Sequence, residues 1–341
     1  MAQTQVNSVE VRGVSTCVPA RRVDNAAVDT AFASEDVQRV VKMAGVRERH
    51  VVNENQCTSD LCFEAASRLL RALDWPPDSV DLLVFVAQTP DYLMPSTACL
   101  LQHRLGLSTQ CGAFDVNLGC SAYPYGLCLA AKMLDGHGLR RALVLVGETP
   151  SKICHPADRA TWLIFGDAGS ATALEFGTRG EPFSFSLHSD GSGAEDFIVR
   201  AGGFRTRFAT AERSHYIEMN GANIFAFTME RVPPLVHESL QAAGWTLAMV
   251  DSVIFHQANA FIVDHLRRKL GLGREKVPLV IDRFGNTGGS SLPLTLTQGG
   301  LARPADRSLR LLLLAFGVGL SWGSVTVSLP PAVPLIHSEL A

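Results

Sequence analysis

Three stretches of this chain occur twice, in the same order, and that repetition constrains its fold more than any other feature. Val80-Asp-Leu-Leu-Val-Phe85, whose following segment closes on Leu105-Gly-Leu107, has a counterpart in Val250-Asp-Ser-Val-Ile-Phe255, whose following segment closes on Leu270-Gly-Leu272. Arg141-Ala-Leu-Val-Leu-Val-Gly147 is echoed by Arg310-Leu-Leu-Leu-Leu-Ala-Phe-Gly317, and the stretch 115–120 by 282–286. The apolar runs have strand length without alternation, so they predict strands buried on both faces. Helical segments lie between them, which is the α/β pattern. The expectation is two similar α/β halves, residues 1–178 and 179–341, about a pseudo-twofold axis. Their strand ends would meet in a shared cleft, where α/β sheets bind ligands.

The remaining segments fit this plan. Residues 9–18 predict a first strand, 24–44 a helical region, 61–73 and 96–105 helices. Residues 80–87, 143–147 and 171–176 predict buried strands. Gly45-Val-Arg-Glu-Arg-His50 reads as a charged turn, and Thr58-Ser-Asp60 as a helix cap. Residues 177–213, rich in Gly, Ser and charge, give the weakest signal and are expected to connect the halves.

Composition narrows the function classes. The chain has 341 residues, 47% hydrophobic and 18% charged, which suits a large globular core. A net charge of −3 offers no basic surface for nucleic acid. Eight scattered cysteines without a CxxC pair read as reduced thiols rather than a disulfide framework. The N-terminus lacks the apolar core of a signal peptide, and the apolar run 311–320 is too short to span a bilayer. A cytoplasmic protein without a membrane partner is therefore expected. No P-loop, GxGxxG, HExxH or CxxC motif is present, so no metal site and no bound cofactor are expected.

One cysteine stands apart. Cys120 follows the strand-like Ala113-Phe-Asp-Val116 and the turn glycine Gly119, and precedes a helix predicted over 121–133. At a helix N-terminus the dipole favours the thiolate, the nucleophilic form. Alone, such a cysteine is equally a small buried hydrophobe. His256 directly follows the apolar Val253-Ile-Phe255, at a strand's carboxyl end. Asn286 lies in Phe284-Gly-Asn-Thr-Gly-Gly-Ser290, where the repeat sets it opposite Cys120. Gly317-Val-Gly319 leaves a strand with glycines that let backbone N–H groups approach a ligand. With the amide of Cys120 they suggest an oxyanion hole.

Together, Gly119-Cys-Ser, His256-Gln-Ala-Asn259, Gly285-Asn-Thr-Gly288 and the stretch from Phe316 to Gly323 resemble the thiolase superfamily, and within it β-ketoacyl-acyl-carrier-protein synthase III. Gly45-Val-Arg-Glu-Arg-His50, Pro95-Ser-Thr-Ala98, Cys154-His-Pro-Ala-Asp-Arg159 and Phe165-Gly-Asp-Ala168 extend the resemblance along nearly the whole chain. It implies a layered αβαβα fold and a homodimer. It also implies an acyl-cysteine on Cys120, and decarboxylative Claisen condensation assisted by His256 and Asn286. The backbone amides of Cys120 and Val318 would form the oxyanion hole. Substrates would be acyl-CoA or acyl-ACP and malonyl-ACP or malonyl-CoA, with Arg159 and Asn259 at the carrier side and Met94 lining the partner's acyl pocket.

Departures from the family's housekeeping pattern bear on substrate. A tryptophan position near the coenzyme A adenine holds Arg39, and a nearby arginine position holds Met43. Two basic positions at the tunnel mouth hold Ala226 and Phe261, whereas Arg268 and Lys269 are kept. Asn117-Leu-Gly119 replaces a run of small residues. These departures suggest a specialised relative. Competing readings are acyl transfer to an amine or alcohol without decarboxylation, and a non-catalytic subunit of a heterodimer. A 3-hydroxy-3-methylglutaryl-CoA synthase would carry a glutamate where this chain has Gln88, Thr89 and Pro90. A papain-like protease lacks its cysteine signature here.

Overall fold

The computed structural model describes residues 2–27, 32–134, 136–177, 181–209, 211–304 and 306–341. In chain order the strands are β1 (Ala2–Val6), β2 (Val9–Pro19), β3 (Arg22–Asp24), β4 (Glu48–His50), β5 (Leu82–Val86), β6 (Gly112–Val116), β7 (Arg141–Glu148) and β8 (Ala168–Phe176). There follow β9 (Phe183–Ser189), β10 (Phe197–Ile198), β11 (Glu218–Met219), β12 (Ser252–Phe255), β13 (Leu309–Gly317), β14 (Ser321–Leu329) and β15 (Leu335–Leu340).

Two sheets dominate. One has the order β15-β2-β8-β7-β5-β6, the other β1-β9-β14-β13-β12. In the first, β5 is parallel to β7, β7 antiparallel to β8, and β8 antiparallel to β2. In the second, β12 is parallel to β13, β13 antiparallel to β14, and β14 antiparallel to β9. The two halves therefore share one topology, and the first two sequence echoes fall on matching strands, β5 with β12 and β7 with β13. The third does not. Residues 115–116 end β6, whereas Ile281–Phe284 is a short helix, so the second sheet has no equivalent of β6.

The layers follow from the apolar pattern. In β7, Ala142, Val144 and Val146 face one core, while Leu143 and Leu145 face another. Between the sheets lie the helices Ala122–Met133 and Ser291–Gln298, whose Ala122, Leu127, Ala131, Leu292 and Leu296 join strands of both sheets in a single core. A central helix must be slim. A Cβ added to Gly126 would stand 2.9 Å from Val86 Cγ2. Thr58–Ala72 and Thr97–Arg104 cover the outer face of the first sheet, and Gly221–Ala243 and Ala260–Lys269 that of the second. This is the expected αβαβα arrangement.

Three local expectations need correction. The helical region 24–44 is a helix only over Ser34–Ala44, because Asp24 pairs with Glu48 in the β3–β4 ribbon; residues 28–31 lie outside the described part. The charged stretch 45–50 is not a turn throughout, since Glu48–His50 form β4. Arg49 and His50 are buried, with the guanidinium donating to Asn25 Oδ1 and the Phe165 carbonyl, and His50 Nδ1 lying 2.5 Å from the Pro19 carbonyl. Burial of charge is tolerated where hydrogen bonds replace water. The third correction concerns the division at residue 178. The terminal strands are exchanged, with β1 in the second sheet and β15 in the first.

Candidate active site

The carboxyl ends of β5, β6, β7 and β13 surround a cavity of ≈ 450 Å³. Cys120 sits at its inner end with Gly119, Gly288 and Val318, and Ile153, Phe165, Phe197 and Ile217 form apolar walls. Cys120 is 6% exposed and stands just before the helix Ala122–Met133. Gly317 packs directly on it: a Cβ there would come within 2.7 Å of Cys120 Sγ. Only glycine permits that approach.

Burial pushes the Cys120 thiol up to about 11, and the charge of Glu148 adds to the shift. The N–H groups of Val318 and of Cys120 itself face the sulfur and oppose it. The thiolate expected from the helix N-terminus alone is thus outweighed by desolvation, and the resting group is a thiol. The same two amides are those expected to form an oxyanion hole.

His256 follows β12, and its N–H continues the ladder to the Leu314 carbonyl at 2.7 Å. It is 1% exposed, edge-on to Phe316. Burial lowers its pKa to about 4, with the Gly288 carbonyl opposing, so the ring is neutral at neutral pH. Its Nδ1 lies 2.6 Å from Ser291 Oγ. That oxygen also accepts from Gln257 N–H at 3.4 Å, and it donates to Nδ1 when its hydroxyl hydrogen turns that way. The proton of the neutral ring then belongs on Nε2.

Asn286 is anchored through its backbone, donating to the Ile164 carbonyl and accepting from Gly166 N–H. Gly166 is needed there, since a Cβ would stand 2.2 Å from the Phe284 carbonyl oxygen. The Asn286 Oδ1 accepts from Gly288 N–H at 3.0 Å, which leaves its NH₂ group to donate elsewhere. Gly288 thus ties the site together: it lines the cavity beside Cys120, holds Asn286, and faces His256.

Of the expected site residues, Cys120 and Val318 line the cavity, His256 and Asn286 contact its lining residue Gly288, and the others are not among the lining residues. Asn259 is the N-cap of Ala260–Lys269, its Oδ1 accepting from Ile262 N–H at 2.7 Å. Arg159 is half-exposed and pairs with Asp36 at 2.7 Å. Met94 is 77% exposed. Among the wall residues that sequence reasoning did not single out is a buried carboxylate. Glu148, at the end of β7, is 5% exposed, and burial raises its pKa to about 7. Gln88 N–H and Thr89 Oγ1–H each donate to it at 2.9 Å. Its only signal in the sequence is a carboxylate directly after a fully apolar strand.

A glycine-packed cysteine after β6, a neutral histidine after β12 and an asparagine after the short helix Ile281–Phe284, on a doubled α/β fold, are the marks of a thiolase-fold condensing transferase. The 3-oxoacyl-[acyl-carrier-protein] synthase III family matches residues 114–191, and its C-terminal family residues 240–329. β-Ketoacyl-[acyl-carrier-protein] synthase III 3 of Streptomyces coelicolor is 35% identical over 332 residues, covering 95% of this chain and 98% of its own. The crystal structure of a 3-oxoacyl-(acyl-carrier protein) synthase from Burkholderia xenovorans superposes with a TM-score of 0.95 at 39% identity, covering 99% of both chains. A synthase III from Pseudomonas aeruginosa gives 0.84 at 28% identity, covering 96% of this chain and 100% of the other. The chain belongs to the β-ketoacyl-acyl-carrier-protein synthase III family.

Proposed function

We propose that Cys120 carries an acyl group between two thioesters in a decarboxylative condensation. In the first step Cys120 Sγ attacks the carbonyl of an acyl thioester held on coenzyme A or an acyl carrier protein. The sulfur–carbonyl bond forms, the carrier's C–S bond breaks, and the thiol proton ends on the departing carrier thiol. The amides of Cys120 and Val318 stabilise the tetrahedral oxyanion. In the second step a malonyl thioester loses carbon dioxide. His256 Nε2–H and the Asn286 NH₂ group donate to the enolate oxygen, and the enolate carbon attacks the acyl-cysteine. The C–S bond to Cys120 breaks, the released sulfur takes up a proton from solvent to restore the thiol, and the β-ketoacyl thioester leaves. A neutral imidazole suits this role, because it donates without transferring its proton to the enolate.

The observation that supports this reading is the position of Gly288, which lines the cavity with Cys120, donates its N–H to Asn286 Oδ1 and faces His256 with its carbonyl. A homodimer completes the proposal: β6 is an edge strand with its outer side open, and Tyr92, Leu93 and Met94 are exposed in the segment that follows β5. Open edges and apolar surface of this kind favour pairing with a second copy.

The test is intact-protein mass spectrometry with acyl-CoAs and acyl-carrier-protein thioesters, followed by measurement of carbon dioxide from a malonyl thioester. A mass gain absent in Cys120→Ser, with carbon dioxide released by the acylated wild type, is expected. Acylation without carbon dioxide, but with transfer to an amine or alcohol, would favour the alternative acceptor. No acylation by the homodimer, but activity after adding a partner subunit, would favour a heterodimer.

A further inference from the structure

The nucleophile end of the cavity is not an apolar slot. Three hydrogen-bonding side chains line it, Gln88, Asn117 and Glu148, supplied just beyond β5 and β6 and at the end of β7. The Gln88 amide lies against the backbone beside Cys120: a Cβ on Gly119 would stand 2.3 Å from Gln88 Oε1. Glu148 fixes the backbone of that residue through Gln88 N–H, and braces the turn through Thr89. The amide is thus carried on a held segment.

Neither the Gln88 nor the Asn117 side-chain amide has a hydrogen-bond partner among the described residues. Both residues are exposed in the single chain, and a saturated acyl chain filling this end would displace water from their amides while offering no hydrogen bond in return. An acyl group with an oxygen of its own would satisfy them. A carboxylate is the wrong oxygen. No lysine, arginine or histidine is among the lining residues described, and Glu148 is itself an acid. A second negative charge there would meet repulsion without a cation.

We infer that this end of the cavity selects an acyl group bearing an uncharged oxygen, a hydroxyl or keto substituent, over an alkyl or dicarboxylic acyl group of equal length. The inference rests on the acyl-cysteine reading of Cys120.

The experiment compares four-carbon acyl groups: butyryl, 3-hydroxybutyryl, 3-oxobutyryl and succinyl. Each is presented on coenzyme A and on holo-acyl carrier protein, and initial rates of Cys120 acylation are read by intact mass. The hydroxy or oxo group is expected to load about tenfold faster than butyryl, and succinyl slowest, in line with one hydrogen bond gained from a lining amide. In Gln88→Leu/Asn117→Leu, checked for folding by circular dichroism, the ratio of hydroxybutyryl to butyryl is expected to fall to about one or below. Butyryl loading as fast as both oxygenated groups in the wild type overturns the inference while leaving the acyl-cysteine intact, and this comparison decides even if the variant does not fold. An unchanged ratio in a folded variant overturns the assignment to these two amides. No loading by any group on either carrier overturns the acyl-cysteine reading and the inference with it.

Discussion

Glu148 and Cys120 show how burial reshapes chemistry that residue identity alone suggests. A carboxyl whose pKa is raised on folding, here from 4.5 to about 7, stabilises the fold fully below its unfolded value. That contribution is lost as pH rises towards 7. Glu148→Gln removes the titration, so its melting temperature should improve relative to wild type between pH 5 and pH 8. Asp167, raised by burial to about 6, titrates in both proteins, and its charge adds to the Glu148 shift. Thermal melts at the two pH values check this; a difference independent of pH would contradict it. For Cys120, a thiol near 11 means that the thiolate fraction grows about tenfold per pH unit through neutrality. Iodoacetamide labelling of Cys120, followed by peptide mass spectrometry, should therefore accelerate steadily up to about pH 10. A plateau near pH 7 would show that the helix N-terminus prevails instead. The position of Cys120 at a strand–helix turn was legible in the sequence. Its protonation state was not, because that depends on Gly317 and Val318 closing over it from the other half.

Elements were legible where the apolar pattern spoke for both faces, as in β5, β7 and β13. They were misread where hydrogen bonding decided the outcome. The stretch ending in Arg49 and His50 reads as a charged turn, yet both are strand residues held by Asn25, Phe165 and Pro19. The echo at residues 282–286 matched in chain order while differing in conformation, since a short helix and no equivalent of β6 is described there. Asn259, adjacent to the His256 motif, is by geometry a helix cap. Asn259→Ala should cost about 1 kcal/mol in stability, measured by denaturant unfolding. No loss of stability would show that the cap is replaceable by water. Where β8 meets Thr58–Ala72, contact is tighter. A Cβ on Gly169 would lie 2.6 Å from Cys62 N. Gly169→Ala should lower stability by about 1–3 kcal/mol through forced separation of helix and sheet. An unaffected unfolding midpoint would mean that the interface yields freely.

At the scale of the whole molecule, the exchange of terminal strands was invisible to pattern reading. Neither β1 nor β15 repeats anything, and nothing local to either announces a partner hundreds of residues away. β15 closes the edge of β2 over Leu335–Leu340, and Arg22 reaches Glu339 in a 2.5 Å ion pair. A chain ending at residue 334 would leave β2 as an open apolar edge. We expect it to partition into the insoluble fraction on expression; a soluble product melting within about 5 °C of wild type would contradict this.

The same exchange also limits how such a molecule can be reassembled from pieces. A cut between the halves gives two fragments, each holding the strand that finishes the other's sheet and lacking the one that finishes its own. A chimera that replaces residues 179–341 with those of a relative therefore imports a foreign border for the half it keeps. The workable unit of exchange is not a half of the sequence. It is a sheet together with the terminal strand, from the opposite end of the chain, that belongs to it.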